Sequence, residues 1–462
     1  MTDVRDGFEA YARSMTRRLI AVSEKDPIRS MESRRGSAWR TVAMLIATAA
    51  IVAAVGLIGT NALRATSSRP PAASPPPQPV TTRTPSPAPT PVASAQPAPT
   101  VAPSGVVDNL RMFTSTTGWA QRQLDGAILR TTSGVQHWTL RMPRLGGDQV
   151  VAAAFVDADA ARLVTATIAA VSIGINTATV RAWATDDGGL TWIREGTFTV
   201  NGVAADLQAG ALDFVGREDG WFSLSNAALG SSTMDVFRTQ NAGASWTHVV
   251  ATSFMPAPGQ SSDIPLGCDK NPAVFSDANT GWITAACNGG SPFLYASHDG
   301  GVSWTSEPLG IKYSEYGYTT NPPQFVSGST GFMIGSQDTA TNPVVTLFVT
   351  TNGGRTWSRW RTPDSALDAS DFVDGDNGWL LMYNADASDH DSSLWVTHNA
   401  GKTWTDLGLD PRFGGTSLDF LTTQIGWAFF SEWLQPPAGP ELLRTIDGGR
   451  TWSAMTPTMS AP

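Results

Sequence analysis

Thr350-Thr351-Asn352-Gly353-Gly354-Arg355-Thr356-Trp357 is one of six near-copies of the same eight-residue sentence, and their recurrence decides the fold. The others run from Thr185 to Trp192, Thr239 to Trp246, Ser297 to Trp304, Thr397 to Trp404 and Thr445 to Trp452. A degenerate seventh, Thr131-Thr-Ser133-Gly-Val-Gln-His137-Trp138, precedes them. Successive tryptophans lie 47 to 58 residues apart. Self-similarity at a period near fifty is the mark of a repeat architecture.

A second mark lies upstream of each box: an aromatic, five residues, then Gly-aromatic. It appears as Phe214 to Gly220-Trp221, Phe275 to Gly281-Trp282, Phe325 to Gly331-Phe332, Phe372 to Gly378-Trp379 and Phe420 to Gly426-Trp427. Repeat one offers Met112 or Phe113 before Gly118-Trp119. Repeat two keeps Phe155 but carries Ala161-Arg162 where Gly-Trp is expected, so these first two blades are expected to be irregular. Around the marks run short segments such as Ser417–Leu421, Gly426–Phe430, Glu441–Thr445 and Thr451–Met455, of strand length and bounded by turn residues. Four strands per repeat and seven repeats predict an all-β fold over 106–460, a seven-bladed β-propeller of four-stranded antiparallel blades.

The box reads as a mechanical device. The acid or amide at Asp187, Asn241, Asp299, Asn352, Asn399 and Asp447 is expected to accept N–H groups of a tight turn. The glycines supply positive φ, and the Trp folds back to bury a large apolar face, a gain of roughly 1.5–3 kcal/mol. Catalysis or metal binding at these acids is disfavoured, because Asn replaces Asp in three of the six clear copies.

These boxes resemble the S/T-x-D-x-G-x-T/S-W signature of the BNR or Asp-box repeat propellers, over all seven repeats and about three quarters of the chain. Within that sortilin/sialidase superfamily, the Gly-Trp mark and the near-continuous T-x-D-G-G-x-T-W run look most like the photosystem II assembly factor type of domain. The resemblance implies a non-enzymatic, partner-binding propeller. The sequence holds no metal cluster, nucleophile elbow or phosphate loop, so no cofactor is expected. The sialidase branch would need an arginine triad, a Tyr-Glu pair and an Arg-Ile-Pro element. This chain offers Arg141-Met-Pro143, placed just after Trp138 on an outermost strand, where it reads as a rim residue.

The N-terminal part reads as a delivery device. Residues 41–63 carry no charge and, as a helix, span roughly 34 Å, enough for a bilayer. Basic residues from Arg13 to Arg40 precede them and few follow, which predicts a single-pass cell-membrane anchor with residues 1–40 cytoplasmic and the propeller extracytoplasmic. Residues 64–105 hold 13 of the 31 prolines and read as a disordered polyproline-type linker. The cytoplasmic stub has neither cysteine nor histidine, against a zinc-bearing domain there.

Charge divides along the chain. Residues 1–105 carry 12 Lys or Arg against 6 acids, leaving 19 against 34 in the remainder, a formal −15 that disfavours nucleic acid or another anionic polymer as partner. Cys268 and Cys287 both fall in repeat four and are expected to pair in an oxidising exterior.

Candidate recognition residues lie on long loops, which in a propeller share the face opposite the boxes. Tyr313, Tyr316 and Tyr318 form a possible contact patch for an extracytoplasmic protein or glycan, with Trp433 on another loop. Asp386, Asp389 and Asp391 are weak candidates for Ca²⁺. An acid recurs before the strand-one aromatic, at Asp213, Asp371 and Asp419, and reads first as a strand-end hydrogen bond. The expected function is a non-catalytic binding or assembly scaffold. The rival is a membrane-anchored glycoside hydrolase of the Asp-box class using carboxylate pairs.

Overall fold

The computed structural model describes residues 107–122, 125–172, 175–203, 210–227, 232–252, 264–287, 292–311, 317–337, 339, 343–383, 392–410, 413, 416–430 and 442–460. The segments read above as cytoplasmic stub, transmembrane helix and linker lie outside them. All described residues belong to one compact unit, Pro87–Pro462.

Among the described residues every regular element is a strand. The strands form four-stranded antiparallel sheets in chain order, consistent with propeller blades. The sixth is typical: Ala366–Phe372, Asn377–Tyr383, Ser392–His398 and Thr405–Asp410 each pair with the next. The fourth and fifth are joined into one sheet, because Ala286 and Cys287 pair with Thr319 and Tyr318. Their innermost strands are each split, around Asn271-Pro272 and Asn321-Pro322-Pro323, where proline has no N–H for the ladder.

No unit has a core of its own. Each hydrophobic cluster among the described residues mixes side chains from two consecutive units, and one of them joins the seventh unit to the first through Trp427, Phe429, Met112 and Leu129. The strand Thr458–Ser460 then adds in parallel to His137–Leu140, so the chain's end is stitched to the unit where the ring began.

The Gly-aromatic mark explains the joints. In each marked unit the glycine opens the strand opposite the inner-strand Phe, and a methyl on Gly220, Gly281, Gly378 or Gly426 would collide with that ring. The following aromatic points to the next unit and stacks on its Phe: Trp221 on Phe275 at 3.6 Å, Trp282 on Phe325 at 4.4 Å, Phe332 on Phe372 at 3.9 Å and Trp379 on Phe420 at 3.6 Å. The box Trp of the receiving unit meets the same Phe edge-on, as Trp304 meets Phe275 and Trp452 meets Phe420.

The second repeat departs from the pattern yet keeps the joint. Ala161 carries the methyl that the other units omit, and Phe155 opposite it lies 5.9 Å from Trp119, farther than in the glycine-bearing joints. Arg162 replaces the Trp. It is 2 % exposed, sits 5.8 Å over Phe214 of the third unit, and donates to the carbonyls of Thr185 and Arg217. A planar cation substitutes for a planar ring, so unit two keeps its joint without the Gly-Trp, while each of its strand pairs carries the expected irregularity as a register shift.

Gly378→Ala is expected to destabilise the protein by about 1–3 kcal/mol in denaturant unfolding, because the added methyl overpacks Phe372. Gly375→Ala, whose methyl meets only Thr330 at 3.6 Å, is expected to leave stability unchanged.

Candidate functional site

The box residues are bound to their own turns. Asp187 Oδ1 accepts the Thr191 N–H at 2.9 Å and the Thr185 hydroxyl at 2.9 Å, and Oδ2 accepts the Thr191 hydroxyl. Asp299 and Asp447 repeat this. Asn241, Asn352 and Asn399 hold the same N–H with Oδ1 and reverse only the last bond, their Nδ2 donating to the hydroxyl of Ser245, Thr356 or Thr403. A hydroxyl both donates and accepts, which is why Asp and Asn are interchangeable here. Burial works to raise the carboxyls of Asp187 and Asp299, but the turn's hydroxyl and N–H donors outweigh it and hold both below the ordinary range. In the degenerate first box Ser133 Oγ takes the place of the carboxylate, accepting the His137 N–H at 3.0 Å.

The inner-strand acids are bound across the joints. Asp213 Oδ2 accepts the N–H of Phe275 at 2.7 Å, Asp371 Oδ2 that of Phe420 at 2.5 Å, and Asp419 Oδ2 that of Met112 at 2.8 Å, each in a following unit of the ring. Two further residues stand at the same repeat position and were legible by the same spacing. Gln324 accepts the Phe372 N–H with Oε1 and donates to Asp371 with Nε2. Arg111 lies 3.5 Å from Asp419.

Four of these residues, Arg111, Gln324, Asp371 and Asp419, together line a cavity of about 290 Å³ at the inner strands of the first, fifth, sixth and seventh units. Burial pushes Asp371 up to about 6, against the Phe420 N–H and the Gln324 amide. Burial pushes Asp419 up to about 7, with Arg111 opposing and Asp371 adding to the rise. Asp213, which is buried but not part of this cavity, rises to about 6.

Cys268 and Cys287 are disulfide-bonded. Beside them Lys270 is buried and donates to the carbonyls of Leu266, Gly267 and Cys268, tying down the turn that leads into the inner strand.

The tyrosine patch needs correction. Tyr318 is only 1 % exposed, within the strand Tyr318–Thr320, with its ring against Gly335 and its hydroxyl pushed up to about 12 by burial. Its pairing with both Cys287 and Gln337 draws it into the junction of the fourth and fifth units, so its ring is not a contact surface. Tyr313, Tyr316, Trp433, Asp386, Asp389 and Asp391 lie outside the described residues. Arg141 is half-buried against Gly189 of the next unit's box. Among the described residues no group of three or more His, Cys, Asp or Glu is placed to hold a metal ion.

The acids set a pH dependence. Asp213 has a folded pKa above its unfolded value, so the folded state holds more protons between about pH 4 and 6, and stability falls as pH rises through that window. Asp213→Asn keeps an acceptor for the Phe275 N–H without the charge. Its melting temperature relative to wild type is expected to rise between pH 4 and pH 8, and a constant difference across that range would count against the assignment.

No protein-family model matches the chain, and no curated protein does. Among solved structures, the GH74 xyloglucanase from Xanthomonas campestris aligns at 16% identity and a TM-score of 0.48, over 78% of this chain and 55% of its own, so this chain spans little more than half that enzyme's length. Ycf48 bound to D1 peptide aligns at 14% identity and a TM-score of 0.30, over 67% of this chain and 97% of its own. An uncharacterized protein from Listeria monocytogenes aligns at 7% identity and 0.44, over 78% and 96%. At such identities and scores these likenesses assign neither an activity nor a partner.

Proposed function

We propose that the chain is a seven-bladed propeller of the Asp-box type, anchored by residues 41–63 and displayed outside the cell membrane, where it serves as a non-catalytic binding or assembly scaffold for a protein or glycan. The supporting observation is the use made of the repeat-borne acids. The carboxylates that recur in the boxes hold their own turns, and those on the inner strands accept main-chain N–H groups of a following unit. Their recurrence is accounted for by building the ring. Recognition then falls to residues that do not repeat.

One observation favours the hydrolase reading. Asp371 and Asp419 share a cavity and are pushed to about 6 and about 7, the range in which a carboxyl can act as a general acid near neutral pH. Against it, each already accepts a main-chain N–H across a joint, as a structural acid does.

The full-length protein, purified in detergent, is expected to release no sugar from plant, fungal and bacterial glycans. Release that disappears in Asp371→Asn, with folding intact, would sink the scaffold reading. In intact cells a C-terminal tag is expected to be accessible to added protease and an N-terminal tag protected. The reverse pattern would overturn the membrane placement.

A further inference from the structure

Six boxes each present one residue in the same way. In every clear copy the N–H of the fifth residue, a glycine, is held by the opening Thr or Ser hydroxyl at 2.8–3.0 Å. The N–H of the seventh is held by the Asp or Asn Oδ1 at 2.9–3.0 Å. The sixth residue therefore stands between two pinned amides, and it is exposed in all six copies: Leu190, Ala244, Val302, Arg355, Lys402 and Arg450. Because the ring closes, these tips stand around one side of it. Each is apolar or cationic, and none is acidic.

The same turns gather the apolar surface. Five large hydrophobic side chains are exposed among the described residues. Leu190, Val302 and Ile446 lie within boxes and Ile193 directly follows one, which leaves Val344 alone outside them. Single exposed apolar residues are ordinary on a protein surface, but their concentration in one turn of the repeat is not. The three cations are free of acids. Among the described residues Arg355, Lys402 and Arg450 make no ion pair; Lys402 Nζ lies 5.9 Å over Trp360, and Arg450 donates to the Asp447 carbonyl of its own turn. By contrast, four acids of nearby turns are paired: Asp157 with Arg217, Asp159 with Arg130, Asp186 with Arg162 and Asp219 with Arg238.

We propose that the box side of the ring rests on the surface of a bilayer carrying anionic headgroups, with Leu190, Val302 and Ile446 dipping between the headgroups and Arg355, Lys402 and Arg450 meeting their phosphates. The proposal rests on the membrane placement above and goes beyond it, since it assigns the face that meets the membrane and leaves the opposite face to partners. A protein partner is bound chiefly through a clustered, desolvated centre, whereas here the apolar tips are dispersed among separate units. A flat surface can touch such tips together, and apolar side chains beside Lys and Arg suit the interface of an anionic membrane. The formal −15 beyond residue 105 does not forbid the contact, because charge farther than about 8 Å from the surface is largely screened at physiological ionic strength.

The test uses the full chain with a protease site inserted within residues 64–105, reconstituted into phosphatidylcholine vesicles and into vesicles that also contain phosphatidylglycerol. The linker is cleaved and the vesicles are floated. The freed propeller is expected to stay with the anionic vesicles, to leave the neutral ones, and to be released from the former by high salt. Arg355→Glu/Lys402→Glu/Arg450→Glu and Leu190→Ser/Val302→Ser/Ile446→Ser are each expected to weaken retention by about tenfold or more. All six substituted residues are exposed, so the fold is expected to survive, and thermal unfolding checks this. Release of the unsubstituted propeller from anionic vesicles overturns the proposal, and so does undiminished retention of either variant. An uncleaved chain that fails to float overturns the membrane placement itself, and this inference with it.

Discussion

The structure depends on the joint between successive sheets. A single four-stranded sheet cannot enclose a core, and here each unit completes its neighbour's. An aromatic from one unit lies flat on the inner-strand Phe of the next, and that Phe meets its own box Trp edge-on. Aromatic pairs of this kind contribute about 0.5–1.5 kcal/mol beyond the area they bury. In several joints a side chain on the inner strand also accepts a main-chain N–H from a following unit. Stability in such an array is a sum over interfaces, and the contacts of Trp427 and Asp419 with the first unit turn the array into a closed ring.

The two sequence marks divide this labour. The glycine of the Gly-aromatic pair removes a methyl so that the inner Phe can lie over the strand, and the aromatic beside it reaches outward to the next unit. The box folds the outer hairpin and carries the Trp that closes the stack from the side. Because both marks report geometry, the repeating sheet and the order of the units were legible in the sequence, whereas the added strand Thr458–Ser460 and the split inner strands of the fourth and fifth units were not. What spacing could not show was tolerance. Arg162 looked like a lost mark because residue type changed, whereas the joint requires a flat, extended group over Phe214, and a guanidinium supplies one. Ser133 likewise meets the need for an acceptor in a box with no acid.

The site was less legible for a physical reason. Tyrosines crowded into a short loop look like a surface patch, but Tyr318 belongs to a strand that pairs on both sides, and register cannot be read from crowding. The cavity lined by Arg111, Gln324, Asp371 and Asp419 is invisible in sequence, since its walls come from four separate repeats. The acids of the inner strands were visible as a recurring position, and their bonding to a following unit follows the simpler of the two readings.

That same position also shows that its scaffolding role sets a need for shape more than for charge. Accepting one N–H across a joint does not require a charge. Gln324 does so with an amide oxygen, while Ala154 and Val274 occupy the position with no acceptor at all. A buried carboxyl pushed well above its ordinary pKa weakens the fold at neutral pH relative to a neutral acceptor of the same shape. Of the three acids that bear this cost, Asp371 and Asp419 stand in consecutive units on one cavity, next to an Arg111 that neutralises them only partly. The two carboxyls lie on one cavity, and each is held there by a main-chain N–H of the unit that follows.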